Sequence, residues 1–143
     1  MKNLQENTRV MLAIDPVALG ATGVISGRII DRKGYGGVEF GFLYGAVTTT
    51  GTVATVIIKE GDATGSMTSV ADGDLVGTEA LASLLAATPR ASGTTKLVAK
   101  RIGYKGNKRY VQAILNGTGV TSVGVVAASA WLHTPEAAPV ANP

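Results

Sequence analysis

"VEFGFLYG", Val38–Gly45, alternates without a break: Val38, Phe40, Phe42 and Tyr44 fall on one side of an extended chain, Glu39, Gly41 and Leu43 on the other. A period of two with large apolar residues on one side is a strand with one buried face. The stretches on either side read the same way. "GVISGRIID" (Gly23–Asp31) precedes it, and "TVATVIIK" (Thr52–Lys59) follows, with Val53, Thr55 and Ile57 opposite Ala54, Val56 and Ile58. Both faces of that third segment are fairly apolar, as in a strand covered on both sides. "KEGDATGSMTSV" (Lys59–Val70) then reads as a turn and a short returning strand.

One helix is expected, about ten residues long, in "GTEALASLLAATP" (Gly77–Pro89): Thr78 caps it, Glu79 suits its positive end, Leu81, Leu84 and Leu85 share a stripe, and Pro89 stops it. After "RASGTTK" come three more strand-like stretches, "LVAKRIGY", "KRYVQAIL" and "TSVGVVAASAWL". The glycine and asparagine turns "KGN" (Lys105–Asn107) and "NGTG" (Asn116–Gly119) join them, so the spacing predicts consecutive antiparallel hairpins. Seven or eight strands with one helical insertion define an all-β fold, an antiparallel β-sandwich or jelly roll with one short helix. Residues 23–133 form this domain. Residues 1–22 show no sustained period and are expected as an extended N-terminal arm, and residues 134–143, rich in proline and alanine, as a C-terminal tail.

The composition limits what such a domain does. A chain of 143 residues can bury a core without staples, and it has no cysteine for disulfides or thiolate-held metal. Its start does not read as a secretory signal, and no apolar run reaches the roughly twenty residues that span a bilayer, so a soluble protein made in the cytoplasm is expected, with no membrane partner. Only 16% of residues are charged, the net charge is +3, and 19 residues are glycine. Free monomers use more charge than this to stay dispersed, whereas a subunit in an assembly leaves neutral surface for its neighbours.

Catalytic signals are thin. The single histidine, His133, sits beside Pro135 and reads as capped or solvent-facing, and the acids of "EGDATGS" and "ADGDLVG" lack calcium-loop spacing and read as turn residues. No phosphate-binding glycine loop has its strand and helix in place. No catalytic, metal or cofactor site is therefore expected. Trp131, the only tryptophan, lies on a strand that reads as buried, which counts against a sugar-binding surface.

The one concentration of charge is "KRIGYKGNKRY" (Lys100–Tyr110), with five of the thirteen basic residues. Three readings compete: a solvated turn, a protein interface using arginine and tyrosine anchors, and a nucleic-acid surface stacking bases on Tyr104 and Tyr110. Modest net charge and the isolation of the cluster make nucleic acid the weakest of the three. "DRKGY" (Asp31–Tyr35) shares the basic Gly-Tyr signature, which in a glycine-rich chain reads as coincidence.

"IIDRKGYGGVEFGF", "VADGDLVGTEA" and above all "KRIGYKGNKRYVQAIL", followed by a valine-rich strand and a His-x-Pro tail, resemble a family of small proteins encoded near the major capsid protein in tailed bacteriophages. The resemblance covers most of residues 25–135. It is similar to capsid decoration (cement) proteins, and it implies a non-enzymatic virion protein that binds the major capsid protein on the outer surface of the shell, often as a homotrimer. Head–tail completion or tail proteins, and a surface-binding module displayed on the particle, are the alternatives. The expected interface residues are Arg9, Leu12 and Ile14 in the N-terminal segment and Arg101, Tyr104, Lys105, Asn107, Arg109 and Tyr110 in the basic cluster.

Overall fold

The computed structural model describes residues 3–19, 23–45, 53–84, 97–118 and 124–137. Nine strands and two single-turn helices follow in the order α1 (Leu4–Asn7), β1 (Thr8–Leu19), β2 (Gly23–Asp31), β3 (Tyr35–Tyr44), β4 (Val53–Ala63), β5 (Ser66–Ser69), β6 (Leu75–Val76), α2 (Glu79–Ala82), β7 (Val98–Tyr104), β8 (Tyr110–Thr118) and β9 (Gly124–Pro135). They form two sheets, β1-β9-β3-β7-β6 and β2-β8-β4-β5, with every pairing antiparallel. Without the two-residue β6, each sheet has four strands and successive long strands cross between sheets, which is the double-sheet arrangement of a jelly roll. The all-β sandwich expected from the sequence is the observed fold.

The core lies between the sheets. Val38, Phe40 and Phe42 of β3 are fully buried, and they face Ala54, Val56 and Ile58 of β4 and Val111, Ala113 and Leu115 of β8 across the sandwich. Period-two alternation places each set inward. Gly27 of β2 marks a close approach of three strands: a Cβ there would stand 2.5 Å from the Ala113 carbonyl oxygen and 2.6 Å from that of Ala13. Only glycine lets these strand backbones approach so closely.

Several expectations are corrected. Thr8–Leu19 is no extended arm but an edge strand, β1, paired with β9 from Thr8↔His133 to Leu19↔Gly124; two register shifts, between Leu12 and Ile14 and between Ile14 and Val17, hide its alternation. β9 also runs through Thr134 to Pro135, so the start of the expected tail belongs to the sheet, while residues 138–143 lie outside the described residues. The basic stretch is not a hairpin. β7 pairs with β3 and β6, β8 with β2 and β4, so Lys105–Arg109 carries the chain from one sheet to the other. Asn116 sits within β8, opposite Val24 and Thr55, and makes no turn.

The helix, too, is shorter than expected. Thr78 does cap it, accepting from the Leu81 amide at 3.2 Å, but α2 ends at Ala82 because the next residues turn to the edge of β4. There Glu79 Oε1 accepts from the Ile58 amide at 2.6 Å, Ser83 Oγ from the Val56 amide at 2.7 Å, and the Leu84 carbonyl from the Ala54 amide at 2.9 Å. Three successive outward donors of β4 are satisfied without an edge strand. Leu85 lies outside the described residues.

Candidate functional site

Lys105–Arg109 and the β2–β3 turn, "DRKGY", form one corner of the sandwich. Arg32 is its centre: its guanidinium donates to the Lys108 carbonyl, to the Gly106 carbonyl at 2.6 Å and to the Tyr35 carbonyl at 3.0 Å, and lies 5.3 Å from the centre of the Tyr104 ring. The Tyr104 hydroxyl donates to the Glu60 carboxylate and accepts from the Lys108 amide at 3.0 Å. Burial, then the hydrogen bond to Glu60, pushes the Tyr104 hydroxyl up to about 12. Gly106 lies flat on that ring, where a Cβ would meet the phenol oxygen at 2.5 Å.

The outer cations of the corner are paired as well. Arg109 donates two bonds to Asp31, at 3.0 and 2.7 Å, and stacks 4.9 Å from the Tyr110 ring centre, while Lys108 Nζ is 2.5 Å from Asp62. Hydrogen bonding to Arg109 holds the Asp31 carboxyl below the usual range, and the bond to Asp62 raises the Lys108 amine. With Arg109 and Lys108 matched to carboxylates, the cluster makes a poor phosphate-binding surface. Lys105 and Asn107 remain exposed at its tip.

Of the expected interface residues, Tyr104 and Ile14 are each 1% exposed and belong to the core, which removes both from any contact surface. Arg9 is exposed at the edge between β1 and β2. Leu12 and Arg101 were far apart in sequence, yet pairing brings them into one row across the outer face of the larger sheet, Leu12–Ser129–Gly41–Arg101. Arg101, with 85% of its side chain exposed, has Glu39 at 3.6 Å.

That outer face is the other notable surface. Beyond the row of Arg101 it becomes apolar: Leu43 is 60% exposed, Leu97 72% and Val125 55%, around a shallow depression of about 400 Å³ that Ala99 and Ala127 also line. Glu39 and Arg101 are its charged residues among the described positions of β3, β7 and β9 that share this face. Trp131 belongs to it as well, and its 38% exposure corrects the expectation of a buried ring. A sequence shows that Trp131 alternates with Leu132, but not which of the two looks inward.

Arg32 and Ser83 were not singled out by the sequence, and Glu60, which read there as a turn acid, lies in β4 and accepts from the Tyr104 hydroxyl. The repeated basic Gly-Tyr signature was the available signal for Arg32, since its two copies meet at this corner. Among the described residues, no group of three or more His, Asp or Glu is arranged to hold a metal ion, and no helix is long and apolar enough to cross a membrane.

No family model matches the sequence, and no curated protein matches it. Among solved structures, the PBSX exported protein XepA is similar at 20% identity and a TM-score of 0.52 over 99% of this chain. The chain spans 42% of XepA's length. A family two carbohydrate esterase from Cellvibrio japonicus matches at 14% identity and a TM-score of 0.32, covering 95% of this chain and 36% of that one. The infectious bursal disease virus Gx strain structure matches at 12% and 0.31, covering 90% and 42%. The XepA likeness supports the fold.

Proposed function

We propose that this protein is a structural virion subunit of the decoration type, which seats the apolar end of its larger sheet on a shell of major capsid protein. The neutral, apolar outer face around Leu43, Leu97 and Val125 is the observation that carries this reading. Water-exposed leucines and valines clustered on a flat sheet mark surfaces that a partner covers. Arg101 and Leu12 border the contact, whereas Arg9 and the corner that carries Lys105, Asn107, Arg109 and Tyr110 lie towards the Val38 end of β3 and stay outside it. The sequence resemblance over residues 25–135 supplies the partner and the trimeric arrangement, in which three modest contacts combine through effective concentration. The jelly roll serves capsid and lectin domains alike, so fold alone does not choose between them.

Co-sedimentation of the purified protein with phage heads stripped of it tests the reading. Saturable binding at a fixed ratio to the capsid subunit, a rise in the melting temperature of the heads and loss of binding in Leu43→Glu are the expected results. Binding that Leu43→Glu leaves intact would remove the sheet face from the contact. A closed ring in solution with no affinity for heads would overturn the decoration role in favour of a head–tail or tail position.

A further inference from the structure

Four residues along β3 from Leu43, about 13 Å away at strand spacing, the same sheet face carries a different chemistry. Trp131 sits there between Val10 of β1 and Glu39 of β3, its neighbours in register. The indole Nε1 donates to Ser129 Oγ at 3.0 Å, so the only polar atom of the ring is engaged and the ring is held along the strand. α1 forms a wall beside it. Together Trp131, Val10, Leu4, Asn3, Gln5 and Thr8 enclose a depression of about 340 Å³.

The polar groups of that wall are not all spent on the fold. Asn3 Oδ1 accepts from the Gln5 amide at 3.1 Å, and Thr8 Oγ1 donates to the Leu4 carbonyl at 2.7 Å, which fixes α1 against the sheet. The Gln5 carboxamide and Asn3 Nδ2 keep their hydrogen-bonding capacity, with no partner among the described residues.

We infer that this depression is a saccharide subsite, with Trp131 as the platform and Gln5 and Asn3 as the groups that read hydroxyls. A pyranose with equatorial substituents has one face of C–H groups, which the negative face of an indole attracts, and a rim of vicinal hydroxyls, which side-chain amides match as donors and acceptors. An amide with both a carbonyl and an NH2 group can bond two neighbouring hydroxyls at once. The volume fits one sugar ring, near the lower end of ligand pockets, and the depression is open, so a dissociation constant on the order of 1 mM is expected for a single occupied ring. The subsite does not depend on the shell-binding reading and lies at the opposite end of the face from Leu43.

Titration of the free protein with cellotetraose and with chitotetraose tests this, read by the fluorescence of Trp131, the single tryptophan of the chain. A saturable spectral shift with at least one of the two is expected, together with movement of the Gln5 side-chain amide resonances in NMR. Saturation-transfer NMR should show Trp131→Ala weakening that binding about tenfold or more. Gln5→Ala, at an exposed position that carries no core packing, should weaken it as well with an unchanged melting temperature. Leu43→Glu should leave it untouched, which separates this site from the shell contact. No saturable response to either oligosaccharide, or binding indifferent to both Trp131→Ala and Gln5→Ala, overturns the inference.

Discussion

Replacing Tyr104 by phenylalanine keeps the ring under Arg32 and Gly106 but removes the hydroxyl that links three elements. That oxygen donates to Glu60 and accepts from the Lys108 amide, so its loss removes one charge-assisted and one neutral hydrogen bond. A hydrogen bond to a charged group contributes about 1.5–3 kcal/mol. The acid–base behaviour of the wild type adds a pH dependence to this difference, set first by burial of the hydroxyl and then by its bond to Glu60. The hydroxyl titrates at about 12 in the fold and at about 10 in the unfolded chain. Below about pH 10 both states hold the proton, and the full contribution is present. Between about 10 and 12 the unfolded chain has lost it and the fold retains it, so stability falls with rising pH, by about 3 kcal/mol in all. Urea unfolding of both proteins, followed by circular dichroism from pH 7 to 12, isolates this group, because other tyrosines and lysines cancel in the difference. The gap between wild type and Tyr104→Phe should be about 2–3 kcal/mol at neutral pH and close towards zero across the alkaline range. A gap below about 0.5 kcal/mol at pH 7, or one that stays flat through pH 12, would refute the role given to this hydrogen bond.

Three further outcomes follow from the packing. Ser83→Ala leaves the buried Val56 amide without its acceptor and should cost about 1–3 kcal/mol in urea unfolding, whereas Leu81→Ala, at an exposed position of the same turn, should change little. Gly27→Ala forces a Cβ against two backbone carbonyls, so about 1–3 kcal/mol of destabilisation or more is expected, seen as a lower thermal midpoint. Asp31 is held in its charged form by Arg109, so its contribution is present above the usual carboxylate range and lost as pH falls through its lowered value. The stability difference between wild type and Asp31→Asn should accordingly shrink in acid below about pH 4, and a difference that grows there would contradict the pairing.

The strands that the sequence revealed are those whose alternation is unbroken. In β3 every second residue from Val38 to Tyr44 is buried, and the pattern needs no tertiary information. β1 escaped because two bulges, one of them beside Pro16, shift its face in mid-strand. The α2 segment was overestimated because a leucine stripe is also what a short turn needs when Leu84 packs into the core and Ser83 bonds to β4. The Lys105–Asn107 turn has hairpin chemistry, yet its flanking strands belong to different sheets, a choice made by distant partners such as β3 and β4. At the candidate surfaces, the basic residues were visible but their acidic partners were not, since Asp31, Glu60 and Asp62 lie 44 to 78 residues from the groups they meet. Which of two alternating residues faces outward decided Trp131, and that depends on the sheet as a whole.

The strand order has a consequence for the nascent chain. β9 lies between β1 and β3, and β8 between β2 and β4, so each of these inner strands leaves the ribosome after both of its neighbours. At roughly 5–20 residues per second, synthesis of a chain this size lasts on the order of ten seconds. During most of that time β1 through β4 have emerged without the neighbours that will pair them, apart from the local β4–β5 ribbon. Folding therefore waits for the C-terminal strands and proceeds by contacts of large sequence separation, which places it among slow-folding topologies. A ribosome stalled before residue 124 would release a polypeptide with apolar strands and no centre for the larger sheet, a species for chaperones to hold or proteases to remove.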